Sequence, residues 1–159
     1  MRALAILGGT FNPPHRGHLR IAETVLESMA YELVLFIPTN IPAHKDLDGA
    51  IEPIHRIRMV ELVCGLHDGF GVDECEIERG GVTYSIDTVR YVKRAYRLEQ
   101  KPGFVIGDDL IDGFHSWRHV DEFASEVDLL VAHRLTEEEL AFEYPHRYLE
   151  NPVFPVSST

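Results

Sequence analysis

The sequence contains only two cysteines, Cys64 and Cys75, outside any Cys-x-x-Cys spacing. Neither a disulfide framework nor a cysteine zinc site can organise the chain; the pair reads as reduced structural thiols, with one disulfide between them as the alternative. Long apolar runs are also missing. The stretch from Ala3 to Leu7 is too short for a secretory segment and runs straight into Gly8-Gly9, and no later run could span a bilayer. The chain is therefore expected in the cytoplasm. Basic residues are scarce, 15 Lys and Arg against 26 Asp and Glu, and the resulting net charge of −11 argues against polynucleotide or an anionic membrane as partner. There is no G-x-G-x-x-G, no G-x-x-x-x-G-K-[ST], no internal repeat and no low-complexity tract. What remains is 159 residues, 45% hydrophobic and 26% charged, enough for a full core in a single domain over residues 1–159.

Apolar, β-branched runs recur at Ala3 to Leu7, Leu33 to Ile37, Phe104 to Ile106, Val127 to Ala132 and, more weakly, Val153 to Val156, with a further strand expected around Phe70 to Ile77. Between them, helical spacing joins Leu19, Ala22, Leu26 and Met29, then Ile54, Ile57 and Val60, then Ile86, Val89 and Val92. Buried strands alternating with amphipathic helices predict an α/β fold, a mostly parallel sheet with helices on both faces. Ligands of such sheets bind at the carboxyl ends of the strands. The acidic and aromatic stretch from Thr136 to Pro152 reads as a surface helix and loop.

Directly after the first strand comes Gly8-Gly9-Thr10-Phe11-Asn12-Pro13-Pro14-His15-Arg16-Gly17-His18, and then the first helix. Two glycines let backbone N–H groups approach a phosphate, and the helix start adds a positive dipole end. His15 and His18, three positions apart, can aim both imidazoles to one side. Alone, such a pair also suits capping, packing or part of a zinc site. Its place after a strand and a double glycine selects the phosphate reading, and the other seven of nine histidines are scattered without metal-ligand spacing.

His15-x-Gly17-His18 after a Gly-Gly-Thr-Phe turn resembles the signature of the nucleotidyltransferase superfamily related to class I aminoacyl-tRNA synthetases. That resemblance implies a Rossmann-like fold and transfer of AMP from ATP. It places Gly8, Gly9, Thr10, Phe11, His15 and His18 on ATP, the histidines stabilising charge that grows as the α-phosphorus is attacked. Asn12 stands where many members have aspartate.

Later segments choose among acceptors. Pro38-Thr39-Asn40-Ile41-Pro42-Ala43-His44-Lys45 resembles the Pro-x-x-x-Pro-x-His-Lys loop of nicotinate-nucleotide adenylyltransferases, which puts Lys45 among the catalytic residues and both Asn40 and Lys45 beside nicotinate mononucleotide. Arg79-Gly80-Gly81-Val82-Thr83-Tyr84-Ser85-Ile86-Asp87-Thr88 is similar to that family's Arg-x-Gly-x-Ser-Tyr-Thr-x-Asp-Thr segment, with two hydroxyl residues exchanged. The resemblance sets Thr83, Tyr84 and Ser85 near the nicotinate ring; capping of the following helix is the plainer use of Thr83 or Ser85. Ile106-Gly107-Asp108-Asp109 followed by Trp117 resembles the family's Ile-Gly-Ala-Asp and its downstream tryptophan, giving Gly107 and Asp109 to ATP and Trp117 to the acceptor. A flat indole can stack on a pyridine ring, and core packing is its other use. Arg134, just past the fifth apolar run, sits where an anion clamp or a surface arginine would.

Val156-Ser157-Ser158-Thr159 resembles the start of the family's Ile-Ser-Ser-Thr-x-Ile-Arg motif, so Ser157, Ser158 and Thr159 are assigned to ATP phosphates, and the natural polypeptide is expected to continue past Thr159. The implied reaction joins ATP and nicotinate mononucleotide, with Mg2+ accompanying the ATP. Phosphopantetheine adenylyltransferase and a noncatalytic nucleotide-binding regulator are the alternatives, and homo-oligomerisation stays open.

Overall fold

The computed structural model describes residues 3–11, 14–40 and 52–153. Six strands form one sheet: β1 (Leu4–Gly9), β2 (Leu33–Pro38), β3 (Phe70–Val72), β4 (Gly103–Gly107), β5 (Asp128–Ala132) and β6 (His146–Tyr148). Their order is β3-β2-β1-β4-β5-β6 and every pairing is parallel. The helices are α1 (Arg16–Ser28), α2 (Pro53–Cys64), α3 (Cys75–Arg79), α4 (Ser85–Ala95) and α5 (Val120–Glu126), with short 3-10 turns at Asp108–Leu110 and Phe114–Ser116.

The two faces follow from strand alternation. Leu4, Ile6, Leu33, Leu35 and Ile37 point to one side, where they meet Ile86, Val89 and Val92 of α4 and Phe123 of α5. Ala5, Leu7, Val34 and Phe36 point to the other, against Ile21, Ala22 and Val25 of α1 and Val60 of α2. Because both faces are covered, the strands are apolar at every position rather than at alternate ones. Pro53 begins α2 at its first helical position, where its missing N–H has no intrahelical partner to lose. Cys64 and Cys75 are free and buried, and burial pushes each thiol up to about 12.

Three expectations need correction. The strand foreseen over Phe70 to Ile77 stops at Val72, and Cys75 already begins α3; Asp73 takes the Cys75 N–H at 2.9 Å, and that bond turns the chain into the helix. Thr136 to Pro152 contains no helix and instead supplies the edge strand β6, paired from His146 to Tyr148 along β5. Ile54 does not share the buried face of Ile57 and Val60 but is 53% exposed. Val153 carries no regular structure, and 154–159 lie outside the described residues. Among the described residues no helix is long and apolar enough to cross a membrane.

Strand order reverses between β1 and β4, since β2 and β3 lie to one side of β1 while β4, β5 and β6 lie to the other. The crevice at such a reversal opens beyond the carboxyl ends of the strands. Gly8 and Gly9, Thr39 and Asn40, Gly107 to Asp109, and Arg134 all stand at that edge.

Candidate active site at the reversal of strand order

The turn leaving β1 is held by an aromatic ring beneath it. Phe11 has φ +47°, a conformation unfavourable for a side chain of its size, yet its ring is fully buried. The ring lies against Gly9, where a Cβ would come within 3.3 Å of it and crowd the ring as the chain folds back over Phe11. At Gly8 a Cβ would meet only ordinary contact, 3.8 Å from the Ile37 carbonyl. The Phe11 and His18 rings then meet in a T-shaped contact, centroids 4.7 Å apart. A second brace comes from α2: buried Arg56 donates through Nη1 to the Thr10 carbonyl at 2.8 Å and to the Thr39 carbonyl at 2.6 Å. It thereby fastens the loops that leave β1 and β2.

His15 and His18 form a capping box made of imidazoles. His15 is the N-cap of α1 and its Nδ1 accepts the Gly17 N–H at 3.0 Å, while Nδ1 of His18 accepts the backbone N–H of His15 at 3.0 Å. The capping reading and the phosphate reading are thus compatible. A nitrogen that accepts an N–H carries no proton of its own, so in each ring the proton sits on Nε2, which remains a donor. The rings stack with centroids 4.0 Å apart. Burial, and then the neighbouring charges of His15 and Arg134, push His18 down to about 3. His15 is lowered by burial and by Arg134. Both imidazoles are therefore neutral at physiological pH, and the Nε2 of His15 is buried without a hydrogen-bond partner among the described residues.

Across the crevice, Gly107 ends β4 at a place where a Cβ would collide with the Asp109 carboxylate and the Arg134 side chain. Arg134 and Asp109 approach to 3.7 Å, both at the surface. Asp108, 1% exposed, turns inward and accepts the backbone N–H groups of Arg134 and Leu135, each at 2.8 Å, and of Thr136 at 3.4 Å. Its carboxylate thus shapes the chain leaving β5.

The segment from Gly80 to Ser85 lies beside the loop after β2. Asn40 donates to the Gly81 carbonyl at 3.0 Å, and Gly80 and Gly81 both take positive φ, +70° and +68°, which glycine alone accepts without strain. Thr83 does not cap α4; its hydroxyl donates to Glu76 at 3.2 Å. Nor does Ser85, because the N-cap is Tyr84 and the cap has no side-chain bond. Thr88 also donates to Glu76, at 2.5 Å, so one buried carboxylate ties α3, the turn and α4 together. Burial raises the Glu76 pKa, and the two hydroxyl donors oppose that shift.

Trp117 is half-buried in an aromatic cluster, with centroids 4.7 Å from Phe114, 5.5 Å from Phe123 and 6.3 Å from Phe104. A cavity of about 480 Å3 lined by Ile111, Phe114, His115, Phe142 and Tyr144 opens on the same cluster, and no residue expected to meet ligand lines it. The next residue, Arg118, reaches over the Tyr84 ring, its guanidinium carbon 4.6 Å from the centroid.

Asn12, Lys45, Ser157, Ser158 and Thr159 lie outside the described residues. Two residues that hold the site, Arg56 and Glu76, escaped sequence reasoning, and Asp108 showed there only as an added charge where the family frequently has alanine. For Arg56 there was a signal, since it lies four residues before Val60 on the buried side of α2. For Glu76 there was none, because an acid followed by Glu78 and Arg79 looks like a solvated helix face.

With that geometry in hand, comparison with known proteins is specific. Residues 6–159 match the cytidylyltransferase-like family model. A probable nicotinate-nucleotide adenylyltransferase of Borreliella burgdorferi is 40% identical over 156 residues, which span 98% of this chain and 80% of that protein. One from Treponema pallidum (strain Nichols) is 35% identical over 170 residues, spanning 98% of this chain and 83% of that protein. Among solved structures, Plasmodium falciparum nicotinic acid mononucleotide adenylyltransferase complexed with NaAD superposes with a TM-score of 0.78 at 16% identity, covering 99% of this chain and 81% of that one. At such identity the likeness establishes the Rossmann-like fold.

Proposed function

From the premise that this chain belongs to the cytidylyltransferase-like family and, within it, to the nicotinate-nucleotide adenylyltransferases, we propose that its two histidines and the strand ends around them form the site of adenylyl transfer. The enzyme transfers AMP from ATP to nicotinate mononucleotide, giving nicotinate adenine dinucleotide and pyrophosphate on the way to NAD.

The observation that carries the site assignment is the tautomer of the histidine pair. Both Nδ1 atoms are occupied by backbone N–H groups, so in each neutral ring the proton, and with it the donor, is on Nε2. In the reaction a phosphate oxygen of nicotinate mononucleotide attacks the α-phosphorus of ATP, and the bond from that phosphorus to the pyrophosphate oxygen breaks. The attacking monoester, with a second pKa near about 6, is already largely dianionic at neutral pH and needs no base. Fixed donors directed at the oxygens where negative charge accumulates, and alignment of the two phosphates, are what the protein must supply. His15 and His18 suit that task because, as neutral donors, they stabilise charge without transferring a proton. Gly8, Gly9, Thr10, Phe11, Gly107 and Asp109 complete the ATP side in this reading, with Ser157, Ser158 and Thr159, and Lys45 joins the histidines on the phosphates.

Mg2+ fits the site as an ion carried by the nucleotide. No cluster of three His, Cys, Asp or Glu side chains able to hold a metal occurs among the described residues, and magnesium commonly enters with substrate phosphates as its main ligands. When bound, it would neutralise charge on the triphosphate. On the acceptor side Asn40, Thr83, Tyr84, Ser85, Trp117 and Arg134 surround nicotinate mononucleotide in this reading. The first-turn N–H groups of α4, which no side chain caps, are suited to an anionic group.

The test is pyrophosphate release by purified protein given ATP and Mg2+ with nicotinate mononucleotide, nicotinamide mononucleotide or phosphopantetheine. Release with the first as best acceptor, and its loss in a folded His18→Ala protein, is expected. Full activity in His18→Ala would remove the histidine pair from the mechanism.

A further inference from the structure

Arg118 has an unusual position for a surface cation. It follows Trp117 directly, in the connection between β4 and α5, yet its guanidinium lies over Tyr84, the N-cap residue of α4. It therefore bridges the two elements between which the acceptor ring is read to sit. A guanidinium seated over a phenol ring can keep its edge N–H donors available to a ligand. Those donors match a carboxylate, which can accept two of them side by side. The ion pairs among the described residues do not include Arg118, and the residue is exposed.

We propose that Arg118 is a specificity-determining residue, whose guanidinium, held on the Tyr84 ring, selects the acceptor bearing a ring carboxylate over the one bearing a neutral carboxamide. The inference rests on the reading that Trp117 and Tyr84 border the acceptor ring. Nicotinate and nicotinamide mononucleotides have the same ribose phosphate and nearly the same shape. They differ by one negative charge, and a permanent cation beside the ring is a direct way to tell them apart. Removing it weakens the carboxylate acceptor and leaves the carboxamide acceptor nearly untouched.

The experiment compares kcat/KM for the two acceptors in wild type, Arg118→Gln and Arg118→Lys, with Lys101→Gln as a control that removes an equal charge from the opposite, amino-terminal end of β4. Arg118→Gln is expected to lower the nicotinate-over-nicotinamide preference roughly tenfold, the scale of one charge-assisted contact, through a rise in KM for nicotinate mononucleotide. Arg118→Lys keeps the charge but not the flat fork of donors and falls between wild type and Arg118→Gln, and Lys101→Gln leaves the preference unchanged. Equal losses for both acceptors in Arg118→Gln would show that the residue only props Tyr84, and a lysine variant indistinguishable from glutamine would show that charge is not the selector; either result overturns the inference. A Trp117→Ala protein with unchanged KM for both acceptors would instead overturn the underlying reading of the acceptor site.

Discussion

The backbone N–H of Arg134 is held at 2.8 Å by the carboxylate of Asp108, twenty-six residues earlier. One side chain at the end of β4 thus sets the path of the chain at the end of β5, and with it the start of the arginine that faces Asp109 and the histidine pair. Asp108→Ala would leave three part-buried backbone N–H groups without their acceptor. A loss of about 1.5 to 3 kcal/mol in urea unfolding is expected, the scale of lost hydrogen bonds to a charged acceptor. Turnover should fall as well, since Arg134 would no longer be held in place. Asp108→Asn, which keeps one acceptor oxygen, should recover part of both. A wild-type urea midpoint in Asp108→Ala would refute this account.

The histidine pair gives a prediction for the ligand-free protein. Nitrogen-resolved NMR should find His15 and His18 as Nε2–H tautomers, with His18 remaining neutral down to about pH 3. Since its folded pKa lies below the unfolded value of about 6.5, the unfolded chain binds more protons between those values. The stability linked to His18 is therefore full above pH 6.5 and drains away as pH falls toward 3. A His18→Gln protein should lose less stability across that window. Titration of His18 near 6.5 in the ligand-free protein would contradict the geometry. In His18→Ala, turnover at saturating ATP should drop by roughly a hundredfold to a thousandfold while the protein stays folded.

For Trp117 the packing makes the expected outcome twofold. Replacing it with alanine should cost about 2 to 3 kcal/mol of stability, less than the roughly 3 to 5 typical of a fully buried aromatic, because the indole is half-buried. It should also weaken nicotinate mononucleotide binding by the stacking share, on the order of 1 to 3 kcal/mol, and leave ATP binding unchanged. Calorimetric titration of each substrate, run well below the melting point, separates the two. Acceptor affinity that survives the substitution would assign Trp117 to the core alone.

The sheet was legible in the sequence because parallel strands covered on both faces are apolar without interruption, as from Leu33 to Ile37. The edges were not. β6 reads as His146, Arg147 and Tyr148, and its single partner β5 demands little apolar surface of it. β3 ended early because Asp73, a local acceptor, overrode the apolar pattern that runs on through Ile77. At the site, the histidine pair was visible from spacing and placement after a strand. Its tautomer was not, since that depends on backbone N–H groups brought to Nδ1 by the helix start. The supports Arg56, Glu76 and Asp108 join segments far apart in sequence, and their partners are backbone carbonyls, backbone N–H groups and hydroxyls that no local pattern announces.

Arg56 carries the last prediction. It is 2% exposed, and burial draws its pKa down from the usual arginine value. An arginine so deep in the protein is retained at the expense of desolvation, and its bonds to the Thr10 and Thr39 carbonyls show what it holds. Those carbonyls belong to the loops leaving β1 and β2, the first of which leads into Phe11 and the histidines. Arg56→Met fills much of the same volume but leaves both carbonyls without this donor. A destabilisation of about 2 to 3 kcal/mol is expected from two lost bonds to a charged donor, partly offset by removal of the buried charge. Because Phe11 sits at φ +47°, a conformation that persists only while its surroundings enforce it, loosening Thr10 should release the ring and with it His18. Turnover at saturating ATP and nicotinate mononucleotide should therefore fall at least about tenfold, beyond what partial unfolding explains at a temperature well below the melting point. Arg56→Lys, which keeps a donor of the same charge, should lie between the two. If Arg56→Met melts and turns over like the wild type, the bridge between the two loops is not what positions His18.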